Sequence, residues 1–359
     1  MNFLRPIAIV ATGLMLASGA TAQVSPTPPA AESKPAPKKE APKEKKAPVA
    51  AKKPAAPAAT PKPAATPTPP AAAVPAPVFE DPNVDLVYGA YQRGMYKTAF
   101  DLAATRAQYN GDPKAMTMLG ELYENAMGIK RDYAKAAEWY KRATDAGDRE
   151  AMFALAMMRL AGRGGPVNRE EAVKLLASSA KLGNPKAAYN LALLYLDGQT
   201  LPQDIRRSAE LLRVAADAGN PEAQYALATF YKEGNGVPKD IDRAVRLLQA
   251  ASLAGNVDAQ VEYAIALYNG SGTPKNEAAA VALLRKAARQ NSPIAQNRLA
   301  RVLVNGQGVP MDKVEGFKWH IVAKTAGKGD PHLDEALAGL SPEDRAKAQE
   351  AARKWLGAK

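Results

Sequence analysis

Side chains equipped for chemistry are few in this chain and do not converge. Its 359 residues hold two histidines, His320 and His332, and no cysteine. Without thiols there are no disulfides, no thiolate-held metals and no lipidated cysteine. A transition-metal site would need histidine and carboxylates in an arrangement the sequence does not announce, so no metal and no cofactor is expected. Ser178-Ser179-Ala180-Lys181 has the S-x-x-K spacing of penicillin-recognising enzymes, but the S-D-N and K-T-G motifs that complete such a site are missing. There is no glycine-rich phosphate loop, H-E-x-x-H or nucleophile elbow. No catalytic residue is assigned, and the chain is expected not to be an enzyme.

The elements that carry these residues repeat with a period of 36 residues, six times without an insertion. Alanines 115, 151, 187, 223, 259 and 295 open the first helix of each unit. Four residues on stand Leu119, Leu155, Leu191, Leu227, Tyr263 and Leu299, each followed by a small residue that lets a neighbouring helix approach. Glycines at 162/164, 234/236, 270/272 and 306/308 mark the turn, with Gly128 alone in unit one and Gly198 alone in unit three. Asp132, Asn168, Asp204, Asp240, Asn276 and Asp312 are N-caps for a second helix. That helix is expected to bury Trp139, Leu175, Leu211, Leu247, Leu283 and Trp319, and to end at Gly147, Gly183, Gly219, Gly255, Asn291 and Gly327. His320 falls in the column that holds Tyr140, Leu176, Leu212, Leu248 and Leu284 elsewhere, which makes it a packed structural histidine.

The pattern A-x-x-x-L-[GA]-x-x-Y, G-x-G-V-x-x-D, A-x-x-W/L-Y/L, A-x-x-A-G over residues 113–328 resembles the Sel1-like repeat, a relative of the tetratricopeptide repeat. It is cleanest from Pro221 to Asn256. Arg159, Leu267 and Leu303 depart from the tyrosine of the first helix, and Gly316 from the alanine of the second, where it should weaken the helix by ~1 kcal/mol. The resemblance implies an all-α solenoid of helix-turn-helix units. Residues 81–112 and 329–359 would be its terminal caps, the first a tetratricopeptide-like hairpin and the second helical. Some Sel1-repeat proteins have been linked to β-lactams, but that branch is cysteine-rich.

The segment ahead of the array differs in kind. Met1 to Arg5, an apolar run from Ile7 to Leu16 and Ala20-Thr21-Ala22 form a secretory signal peptide over residues 1–22. Its 16 residues from Ile7 to Ala22 fall short of the ~20 a membrane-spanning helix requires, so no retained transmembrane helix is expected. Residues 23–80 hold 16 prolines, nine lysines and four glutamates, the composition of a disordered spacer. The chain's formal charge is +12, and a cationic spacer could touch cell-wall polymer or another anionic surface; nucleic acid is not expected as a partner of an exported protein. The expected location is the periplasm.

In tetratricopeptide-like solenoids the first helix of each unit lines the concave side. Three columns of that helix are apolar in units two, three and five: Phe153, Met157 and Leu160; Tyr189, Leu193 and Leu196; Val261, Ile265 and Tyr268. Tyr225 adds a further ring in unit four, where Thr229 and Lys232 follow. A helix apolar nearly all round is either covered or presents a groove. The expected function is a non-catalytic envelope adaptor or regulatory scaffold that holds a protein or peptide partner there, with Phe153, Tyr189 and Tyr225 as anchors. The alternatives are an envelope-structural protein held on wall polymer by residues 23–80 and a β-lactam-binding or hydrolysing protein.

Overall fold

The computed structural model describes residues 85–357; the signal-peptide and spacer assignments lie outside them. Among the described residues all regular structure is helical. The chain opens with α1 (Leu86–Gln92) and α2 (Tyr96–Asn110). Six hairpins follow: α3 (Pro113–Asn125) with α4 (Tyr133–Asp145), α5 (Arg149–Ala161) with α6 (Arg169–Lys181), and α7 (Pro185–Asp197) with α8 (Ile205–Asp217). Then come α9 (Pro221–Glu233) with α10 (Ile241–Leu253), α11 (Val257–Asn269) with α12 (Glu277–Arg289), and α13 (Pro293–Asn305) with α14 (Lys313–Thr325). The chain closes with α15 (Pro331–Ala338) and α16 (Pro342–Gly357). Each helix packs on the one before and the one after, except that α16 lies against α14 where a further unit's first helix would lie.

Local signals set these boundaries. Each second-helix cap accepts a bond from the backbone N–H three residues on, as Asp240 does from Arg243 at 2.9 Å. Asn184, Asn220, Asn256 and Ser292 do the same for first helices. Asn291, at φ 67°, takes the left-handed conformation that glycine takes in the other units. Ala126 holds that conformation too, at φ 57°, where units two to six have glycine. An L-residue there costs roughly 1–2 kcal/mol.

The core runs lengthwise between the two rows of helices, and two details differ from the sequence expectation. Of the large residues expected to be core in the second helices, only Trp319 is buried; Trp139, Leu175, Leu211, Leu247 and Leu283 are half-buried. The buried column is the next residue along, Tyr140, Leu176, Leu212, Leu248, Leu284 and His320. That column faces its own first helix, whereas Leu175 and Leu211 each touch two successive clusters and sit at seams between units.

Gly316 is the second difference. A Cβ on it would lie 2.7 Å from Val304 Cγ2, 3.1 Å from Val304 N and 3.2 Å from Ala300 O. The glycine therefore lets α14 approach α13 past a β-branched side chain, which offsets its low helix propensity. Gly120 plays a related part, since a Cβ there would lie 2.6 Å from the Tyr140 ring.

Of the departures from the first-helix tyrosine, Leu267 and Leu303 are buried in the core and Arg159 has a charged partner. Lys135, Arg207 and Arg243 lie over the rings of Tyr123, Tyr195 and Tyr231 at 5.5, 5.2 and 5.7 Å. In unit two the tyrosine position is Arg159, and Glu171 stands where the cation would be, 2.9 Å from Arg159 Nε. One charge-bearing contact has replaced another at the same place in the hairpin.

Candidate partner-binding face

The first helices α3, α5, α7, α9, α11 and α13 bury one side in the core and leave the other partly open. Ala151, Leu155, Ala156 and Met158 form the buried side of α5, while Phe153, Met157 and Leu160 on the other side are half-buried. The same division gives half-buried Tyr189, Leu193 and Leu196 on α7, Tyr225 on α9, and Ile265 and Tyr268 on α11. Val261 is the exception, 3% exposed and part of the core of the last units. Phe153 and Leu160 rest on the core of units two and three, and Tyr189, Leu196 and Tyr225 on the next. An apolar and aromatic strip thus runs over four successive helices with its flanks held by packing.

The strip's electrical setting comes partly from the same three columns in other units and partly from Glu222, Asp258 and Glu262 outside them. The carboxylate of Glu222 near Tyr189 adds to burial in raising that phenol above its ordinary range. Burial, then Asp258 and Glu262, pushes Tyr225 up to about 12. Lys232 Nζ bonds Glu262 at 2.8 Å across the seam between α9 and α11. Unit one is acidic at Glu121, which accepts from the Tyr91 hydroxyl at 2.7 Å, and Glu124, which accepts from Tyr140 at 3.1 Å. Unit six is the reverse, with Asn297, Arg298 and Arg301, of which Arg301 pairs with buried Asp330. The sequence signal was present, because Glu222 and Asp258 occupy the second position of consecutive first helices, one turn before the strip.

The remaining chemical candidates are structural or isolated. His320 is fully buried in α14 and its Nε2 lies 2.8 Å from Asp334 Oδ1, joining the last hairpin to α15. Lys324, also 2.8 Å from Asp334, and then His320 hold that carboxyl below the usual range. His332 is exposed, as are Ser178 and Lys181 in the last turn of α6. Among the described residues no group of three or more histidines and carboxylates could hold a metal, and no helix is long and apolar enough to cross a membrane. Two recesses of about 380 and 210 Å³ open elsewhere, lined by Glu138, Lys141, Arg142 and Arg159 and by Arg206, Glu210, Arg213 and Tyr231. They are shallow notches between charged side chains.

Stacked helical hairpins of one repeated length define an α-solenoid. The chain belongs to the Sel1 repeat family, whose model matches residues 113–148, 149–184, 185–220, 221–256, 257–292 and 293–328 in unbroken succession. Proteins of this family are generally non-catalytic scaffolds for protein interaction. The fold is shared with a Sel1 repeat protein from Oxalobacter formigenes, 28% identical, with TM-score 0.60 over 67% of this chain and 98% of that one. It is shared as well with c5321, a protective antigen of uropathogenic Escherichia coli strains, 26% identical with TM-score 0.64 over 75% of this chain. The chain spans 59% of the length of the E. coli protein. No curated protein sequence matches it significantly.

Proposed function

We propose that this protein is an exported adaptor of the bacterial envelope that holds a protein segment along the open face of α5, α7, α9 and α11. The observation that carries this is the strip itself: Phe153, Met157, Leu160, Tyr189, Leu193, Leu196, Tyr225, Ile265 and Tyr268 are all half-buried, too open to be interior and too continuous for incidental exposure. Aromatic anchors fixed on a rigid scaffold are what a binding face needs. The pattern of residues 1–22 supports export, and a scaffold of this kind would suit the periplasmic part of a receptor or an assembly enzyme.

The test is crosslinked capture from envelope extract by the mature chain beside two variants, one lacking residues 23–80 and one carrying Phe153→Ser and Tyr189→Ser, each checked for native helicity. Capture by the first two and loss in the third is expected. A partner retained by the double serine variant would overturn the assignment of the face.

The nine lysines of residues 23–80 favour a second reading, in which this segment holds the protein on cell-wall polymer. Sedimentation with purified wall material that disappears on deleting the segment, while the double serine change has no effect, would put that reading first.

A further inference from the structure

The strip carries an electrostatic pattern that specifies more than an apolar partner. Elsewhere the chain holds guanidinium groups between a tyrosine ring and a carboxylate. Arg243 lies 5.7 Å over the Tyr231 ring while its Nε is 3.2 Å from Asp240. On the open face the same two components recur without the cation. The column that holds Tyr189 and Tyr225 faces the start of the next unit's first helix: Thr117 in unit one donates to Asp148 at 3.0 Å and Asn297 in unit six to the Lys328 carbonyl at 3.1 Å. Tyr189 therefore faces the helix start that carries Glu222, and Tyr225 the one that carries Asp258. Glu262 is taken by Lys232, but among the described residues neither Glu222 nor Asp258 forms an ion pair, and both are exposed. Lys186 at the start of α7 and Arg149 at the start of α5 are the other exposed cations in this stretch of the face, and Arg149 is already 3.5 Å from Glu150. Unit six carries Arg298 and Arg301 in place of a carboxylate, Arg301 being paired with Asp330.

We propose that the partner segment is cationic, and that it places an arginine or lysine side chain over Tyr189 or Tyr225 with its charge against Glu222 and Asp258. The inference rests on the binding face proposed above and names the chemistry of its occupant. The apolar part of the segment lies on Phe153, Met157 and Leu193, and its cation lies toward α9 and α11. An exposed ion pair and a cation over a tyrosine ring each contribute modestly, so together they favour a cationic over a neutral segment by about tenfold.

The experiment is fluorescence anisotropy with the full chain and three labelled peptides that share one apolar framework and differ in carrying arginine, glutamine or glutamate. The arginine peptide should bind about tenfold tighter than the glutamine peptide and the glutamate peptide weakest, with the spread narrowing as salt is raised. Glu222→Gln with Asp258→Asn, both near-isosteric changes at exposed positions, should remove the arginine advantage and leave the glutamine peptide unchanged. Equal binding of arginine and glutamine peptides, or an arginine advantage that survives in that variant, would overturn the inference. The binding face itself still stands in that event if the glutamine peptide is lost by Phe153→Ser with Tyr189→Ser. If no peptide binds, face and inference fall together.

Discussion

Replacing Gly316 by alanine sets two effects of opposite sign against each other. Helix propensity alone favours alanine by ~1 kcal/mol inside α14, and the other five units have alanine or serine at this position. Against that, the new Cβ would lie 2.7 Å from Val304 Cγ2 and within 3.1 and 3.2 Å of two backbone atoms of α13. The side chain could give way, but the backbone atoms can move only with the helix. Overpacking of this kind costs about 1–3 kcal/mol, so a net loss of ~1 kcal/mol and a melting point lower by about 2–3 °C are expected. Circular dichroism melting gives the sign, and hydrogen exchange should place the loosening in α13 and α14, since a repeat array yields locally. Val304→Ala removes the nearest atom. The double variant should therefore be more stable than the sum of the two single losses, by about 1 kcal/mol. A melting point that rises with Gly316→Ala, or strictly additive losses, would refute the argument that this glycine serves close approach.

Three further outcomes follow from the same geometry. Gly120→Ala should cost about 1–3 kcal/mol, because its Cβ meets the Tyr140 ring at 2.6 Å, and adding Tyr140→Leu should recover part of the loss by recreating the Ala156/Leu176 pairing, as denaturant titration would show. Ala126→Gly should raise stability by about 0.5–1 kcal/mol, since it relieves a left-handed alanine at the end of α3 by more than glycine's extra unfolded-state entropy costs; calorimetry decides it. Tyr225 keeps its proton in the folded chain up to about pH 12, whereas an unfolded tyrosine loses it near 10, so the folded state binds more protons in between and stability must fall as pH rises through that window. Melting measured across the window should show this slope, and Tyr225→Phe should lessen it, the remainder coming from the other raised tyrosines, Tyr91, Tyr140 and Tyr189.

Much of the fold was legible because each unit writes its own boundaries, with caps at Asp132 through Asp312 and left-handed residues from Gly147 through Gly327. What periodicity could not decide was the phase of the second helix. Each unit places two large residues side by side, such as Leu175 and Leu176, and one must face its own hairpin while the other faces the seam. The packing role of Gly316 was not legible for a similar reason. Propensity is a property of one helix, while the space around this glycine is set by Val304 on another, and β-branching there is peculiar to unit six. The half-buried strip could be read as apolar columns, but the degree to which each side chain is covered depends on the neighbouring unit. Val261 sinks into the core where Tyr189 and Tyr225, in the same column, stay half open.

That intermediate burial bears on how such a face can bind. Phe153 packs against the buried cluster that contains Leu176, and Tyr189 and Tyr225 against the one that contains Leu212 and Leu248. Their rotamers are therefore largely fixed before a partner arrives. A free side chain of this size would lose about 0.5–1.5 kcal/mol of ordering free energy on binding, and three anchors already ordered by the scaffold avoid most of that cost. The exposed apolar area of each ring is smaller than it would be on a mobile loop, so each contributes less burial energy. The balance favours a partner that spans several units and makes modest contacts with each over one that fills a single deep pocket. Repetition supplies this over units two to five, where each unit adds one more pre-ordered helix to the strip. Affinity should then fall stepwise as a bound segment is shortened from one end, with no single unit whose loss abolishes it.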